Sequence, residues 1–198
     1  MVELPRERNG TENFWVDTLD DRVKEFSIAP VEPRPEPQPL NNPDVLEPYS
    51  RAFHDALVRA HPEWKSLGRI LPTDNGYILS FFMELPSPST RIGKLWISTG
   101  QGVVIGFGEL YHTHFYTYEP ETDSTVFDRA IRFVDDFIQE RLVLVIGLHG
   151  ERRGGSWVRT PDDAEIVPEW FAPSAKYDGL HVLSWKCTFD RVRPLTTH

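Results

Sequence analysis

Cysteine is nearly absent from this chain: Cys187 is the single thiol in 198 residues. One thiol excludes an intramolecular disulfide framework and fits a reducing compartment. Long apolar runs are missing as well, and none approaches the ~20 residues that cross a bilayer. Met1 is followed by Glu3, Arg6, Glu7 and Arg8 where a secretory signal would place a hydrophobic stretch. These absences predict a cytoplasmic protein with no membrane partner. Cations are outnumbered, 21 Lys and Arg against 30 Asp and Glu, for a formal charge of −9. Nucleic-acid binders displace condensed counterions with Lys and Arg, so so acidic a chain is not expected to hold nucleic acid. It suits a basic partner reached by electrostatic steering.

What is present describes a globular protein, 39% hydrophobic and 26% charged. A chain of this length buries roughly 70% of its unfolded surface, so folding needs neither a disulfide nor a metal. The 17 prolines are concentrated early, at 30, 33, 35, 37, 39 and 43 among others. Proline lacks a backbone N–H and fixes φ, which keeps this stretch out of helices and sheet interiors. An extended, polyproline-like strap is expected. Before it, Val16, Leu19, Val23 and Phe26 recur at helical spacing. The division that follows is an amino-terminal arm and proline-rich linker over 1–43 and a single domain over 44–198.

In that domain, Tyr49, Phe53, Ala56, Leu57 and Ala60 mark an amphipathic helix ended by Pro62. TDNG at 73–76 signals a turn, GYILSFFMEL a strand, and KLWIST (94–99) another. Val103 to Tyr118 reads as one long strand or two collinear ones. Val126, Ala130, Phe133, Val134, Phe137 and Ile138 form the stripe of a second helix, capped by Asp123 or Ser124. LVLVIGL (142–148), SWVRT (156–160) and LHVLSWKCTF (180–189) read as three more strands. Short turns force antiparallel neighbours. The fold class is therefore α+β: a mostly antiparallel sheet with helices packed on one face and the other face partly wet, preceded by the strap.

The densest local chemistry is YHTHF at 111–115. Alternation along a strand puts His112 and His114 on one face, with Tyr116, Gly106, Gly108 and Leu110 in a continuous strand. Glycines there would let a partner approach the backbone closely. Two imidazoles at i and i+2 can reach one cation, and a third ligand would complete a catalytic zinc site. Candidates for the third are Glu109, Asp123, Asp128 and His149. Without one, two imidazoles hold zinc weakly, so no metal or other cofactor is expected. His112, His114 and Tyr116 are assigned to partner binding instead.

Other motifs carry less. Gly100, Gly102 and Gly106 are followed by β-branched Val103, Val104 and Ile105, which is strand chemistry and not the helix of a dinucleotide site. Ser156 lacks the closing glycine of a nucleophile elbow, and Arg152 and Arg153 read as a solvated turn. Cys187 falls on the strand face of His181, Leu183, Trp185 and Phe189, the place of a small core hydrophobe.

YHTH is similar to the histidine pair of JAMM-type metalloproteases, whose strand continues with proline, a serine and a ligand aspartate. In this chain Phe115, Thr122 and Thr125 stand at those three positions, with Ser124 and Asp128 off register. That resemblance implies a metal-dependent hydrolase using His112 and His114, which is the alternative function. A second alternative is an adaptor recruited through the proline strap. The wider order LWIST, VVIGFGELYHTHF, LVLVIGL, GGSW and HVLSWKCTFDR, over roughly 48–191, resembles small uncharacterised bacterial proteins with a His-Thr/Ser-His-Phe strand and a carboxy-terminal Ser-Trp-x-x-x-Phe/Tyr-Asp. Some of these resemble immunity partners of polymorphic toxins. The resemblance implies a non-enzymatic cytoplasmic binding protein that neutralises a cognate toxin by direct contact, and the acidic charge suits a basic one.

Overall fold

The structure, a computed structural model, describes residues 36–72, 79–100, 102–116, 123–167 and 177–195, all within the unit Arg34–His198. The candidate helix at 16–26, the first prolines of the strap and the TDNG turn lie outside these residues. The architecture is α+β and antiparallel, in two sheets. The larger runs β1 (Gln38–Pro39), β2 (Gly68–Pro72), β3 (Leu79–Leu85), β4 (Leu95–Thr99), β5 (Val103–Phe107) and β6 (Tyr111–Phe115), each beside the next. The smaller has the order β10-β9-β7-β8, from β7 (Val143–His149), β8 (Arg152–Arg159), β9 (Gly179–Leu183) and β10 (Arg191–Pro194). No helix among the described residues is long and apolar enough to cross a membrane.

Two helices, α1 (Pro48–Ala60) and α2 (Asp123–Ile138), pack on one face of the larger sheet. Pro48 occupies the first turn of α1, where a missing N–H costs nothing, and Glu47 caps it by accepting from Tyr49 and Ser50 amides at 2.8 and 2.6 Å. The apolar stripes of both helices meet Met83, Ile97, Ile105 and Phe107 in one core, with Phe107 and Phe137 rings stacked 3.9 Å apart. Glu140 ends α2 in the left-handed region at φ 58°, and its amide bonds to the Phe137 carbonyl at 3.0 Å.

β7 explains why LVLVIGL is apolar without alternation. Leu144 and Ile146 join the main core, while Val143 and Val145 face a second cluster with Trp157, Tyr177, Leu180 and Val182. A strand buried on both faces has no polar face to show.

Three expectations are corrected. The stretch from Val103 to Tyr116 is neither one long strand nor two collinear ones: Gly108, at φ 50°, turns the chain, Leu110 N–H bonds to Phe107 O at 2.9 Å, and β5 and β6 form a hairpin. Gly108 and Leu110 therefore leave the face assigned to them, and Leu110 packs against the core. The last strand ends at Leu183, so Trp185 and Cys187 lie in a turn, and Cys187 is exposed, not a core residue. Arg152 and Arg153 begin β8 and are solvent-exposed strand residues. Within the strap, Gln38 and Pro39 pair with β2, and Leu40 packs on the core. Proline is tolerated there because β1 is an edge.

Candidate functional site

Pairing register fixes what the larger sheet presents on its uncovered face, the one opposite α1 and α2 on which no described α-helix packs. Directly opposed residues share a face, so Arg69, Phe82, Ser98, Val104 and His114 form one row across five strands. Glu84, Trp96, Gly106 and His112 form the next. Their sequence neighbours Met83, Ile97 and Ile105 are fully buried toward the helices. Phe82, Trp96 and Val104 are half-buried, His112 and His114 are exposed, and Tyr116 is 43% exposed.

Glycines hold the two large rings. A Cβ at Gly106 would lie 2.3 Å from Trp96 Cε2, so the indole rests on bare backbone, and its Nε1–H donates to the Gly108 carbonyl at 3.0 Å. A Cβ at Gly102, whose φ is 140°, would lie 2.8 Å from Tyr116 Cδ1. The Tyr116 ring stacks on His114 at 5.2 Å, with its hydroxyl 2.6 Å from His114 Nδ1, and His112 meets His114 edge-on at 5.1 Å. The expectation that Gly106 opens the backbone to a partner is overturned, because Trp96 fills that space. Rings, not bare backbone, occupy this part of the face.

His112, His114 and Tyr116 are thus brought together as their alternation implies. Among the described residues no third His, Cys, Asp or Glu joins the two histidines in a metal-holding group. Glu109 sits exposed in the hairpin turn. Phe115 points to the helix side, against Phe133, with the Arg129 guanidinium 6.0 Å from its ring centroid. Farther along the face, Pro37, Leu67, Arg69, Phe82 and Glu84 line a cavity of about 310 Å³. Lys94 pairs with Glu84 at 2.7 Å on the surface, a contact worth little for stability. Sequence reasoning missed Trp96, Phe82 and this cavity, although the alternation in KLWIST placed Trp96 opposite in sense to Leu95 and Ile97.

The carboxy-terminal Ser-Trp-x-x-x-Phe-Asp motif is a locked turn. Asp190 Oδ1 accepts from the Ser184 amide at 2.7 Å, and Ser184 Oγ accepts from the Phe189 amide at 3.0 Å. Trp185, 6% exposed, enters the main core. From the other side Glu140 Oε1 accepts from the Lys186 and Thr188 amides at 2.7 and 3.3 Å. Burial alone would raise the Glu140 pKa, but hydrogen bonds from the Thr188 side chain, the Lys186 and Thr188 amides and Ser184 hold it below the ordinary value. Nearby, His181 is held below the ordinary histidine value by burial first and by Arg91 and Arg153, with Asp190 opposing. GGSW is equally structural: Tyr177 lies over Gly147 and Gly154, where a Cβ would meet its ring at 2.4 and 2.5 Å. Its hydroxyl oxygen accepts from the Gly155 amide at 3.1 Å.

Compared with protein-family models, curated proteins and solved structures, the chain gives no significant match to any of them.

Proposed function

We propose that this chain is a non-enzymatic binding protein whose uncovered sheet face occludes a partner, and that the partner is a bacterial toxin against which it serves as a cytoplasmic immunity protein. The observation that supports the reading is the set of rings fixed on that face: Trp96 keyed onto Gly106, and Tyr116 held between Gly102 and His114. Rings already immobilised lose little conformational entropy on binding, and aromatic anchors carry much of the energy of protein interfaces. The cavity beside Phe82 would accept one side chain from the partner. The charge of −9 favours a basic partner and fast encounter. The toxin identity rests on the resemblance of the motif order, while the binding surface rests on the geometry.

Surface-plasmon kinetics against any toxin domain found encoded beside this gene test the reading. Tyr116→Ala should speed dissociation about tenfold, roughly 1.4 kcal/mol, with little change in melting temperature. Raising salt should mainly slow association. Unchanged dissociation moves the interface elsewhere, and no binding to any neighbouring toxin removes the immunity reading.

A further inference from the structure

The larger sheet ends in a strand that no other described strand pairs with on its outer side. β6 pairs with β5 on one side, and among the described residues no other strand pairs with it. From the smaller sheet, Ser156 Oγ donates to the carbonyl of Leu110 at 2.7 Å, one residue before the strand begins. An edge strand turns a row of backbone N–H and C=O groups outward, and proteins that keep such an edge single usually protect it with Lys, Pro or a bulge. Tyr111–Phe115 has none of these: it contains no charged residue and no proline, and its register against β5 is unbroken.

We infer that β6 pairs antiparallel with β6 of a second copy about a twofold axis at Thr113, and that the four imidazoles so assembled hold one zinc ion. The sequence of the strand is self-complementary in that register. Thr113 faces its own copy, Tyr111 faces Phe115, and His112 faces His114. Thr–Thr and aromatic pairs are favourable cross-strand neighbours, and opposed side chains have Cβ atoms about 4.5–5.5 Å apart. Twofold pairing of one strand with itself is isologous and closes at two subunits.

The metal follows from the same register. One chain offers two exposed imidazoles on one face, with ring centroids 5.1 Å apart, and no third ligand joins them among the described residues. A second copy supplies two more on the same face, reaching the four ligands of a closed zinc site. His114 Nδ1 lies 2.6 Å from the Tyr116 hydroxyl oxygen; in the tautomer whose Nδ1–H donates to it, the Nε2 lone pair is open to a metal, the arrangement in which a second hydrogen bond steadies a ligating imidazole. Charge argues the same way. Two copies at −9 each repel, whereas a strand without Asp, Glu, Lys or Arg meeting its copy around a dication adds nothing to that repulsion. The helix layers are compatible too: α2 packs on both β5 and β6, so α2 and its copy would lie about two strand spacings apart, roughly 10 Å, which is the ordinary distance between packed helices.

This inference stands without the toxin reading, and its test uses no toxin. The full chain, purified without chelator, is examined by sedimentation velocity and elemental analysis, with zinc added and with EDTA. The expected result is a dimer carrying one zinc per two chains, whose dissociation constant rises about tenfold or more on chelation. H112K/H114K changes only exposed positions, so its melting temperature should stay near that of the parent chain, and it should be monomeric even with zinc. H112K/H114E sets opposite charges against each other across the twofold axis and should restore a dimer that ignores zinc and EDTA. A chain that stays monomeric with excess zinc overturns the inference. So does a dimer that survives H112K/H114K, or zinc bound at one per monomer.

Discussion

The Trp96 indole lies flat on Gly106 and donates its Nε1–H to the carbonyl of Gly108, 3.0 Å away. The contact joins β4 to the turn that opens the β5–β6 hairpin, and it leaves no room for any side chain at position 106. Gly106→Ala should displace the indole and destabilise the fold by about 1–3 kcal/mol, as overpacking does. Urea unfolding followed by tryptophan fluorescence measures both the midpoint and the altered environment of the ring.

Glu140 ties the end of α2 to the turn 184–190. Glu140→Gln keeps the shape but weakens the acceptor of two buried amide bonds, and should cost about 1–3 kcal/mol. The pH sign follows from the direction of the shift. A carboxylate whose folded pKa is depressed contributes stability above its unfolded value and loses it as pH falls through the folded value. The gap between parent and variant in denaturant midpoint should therefore be widest near neutrality and close in acid.

His181 acts at higher pH. Its folded pKa lies below the ordinary 6.5, so the unfolded chain binds a proton first as pH falls. Stability should decline as pH drops through that value and keep declining until the folded pKa is passed. His181→Gln removes this component, so its melting temperature should change less than the parent's between pH 8 and pH 5.5. An equal change in both would place the acid sensitivity elsewhere.

Cys187 adopts φ 65° with its side chain exposed. A non-glycine residue in the left-handed region carries strain of about 1 kcal/mol, so Cys187→Gly should raise stability by a similar amount. In the parent chain the thiol should react with a disulfide reagent in the native state, without prior unfolding.

The amino-terminal boundary is testable by truncation. Residues 1–43 were expected to form an arm and linker, yet Gln38 and Pro39 pair with β2 and Leu40 packs on the core. A chain beginning at Glu36 should melt with the full protein. One beginning at Asp44 should lose about 1 kcal/mol, the burial of part of a leucine.

Periodicity located both helices and most strands because their apolar faces are regular. α1 and α2 begin and end within a few residues of the stripes that announced them. What periodicity could not see was the hairpin within 103–118. Gly108-Glu109-Leu110 carries only one glycine as a turn signal, and the β-branched residues on either side read as continuous strand. The turn at 184–190 was hidden for a similar reason: its apolar Trp185 and Phe189 look like strand residues, while of the groups that bend it Asp190 stands at its far end and Glu140 acts from elsewhere in the chain. His112, His114 and Tyr116 could be grouped by parity because β6 is regular. Trp96 and Phe82 could join them only through the pairing of separate strands, which no single stretch of sequence states.

Tyr177 spans Gly147 and Gly154 and takes the Gly155 amide onto its phenolic oxygen. Gly154 and Gly155 lie where the β7–β8 register shifts, so that amide is bonded to a side chain and not into the ladder. In deuterium oxide the ladder amides of β7 and β8 would exchange when the sheet opens, whereas Gly155 would exchange whenever one ring lifts from two glycines. A single peptide nitrogen thus becomes a clock for the motion of a single aromatic side chain.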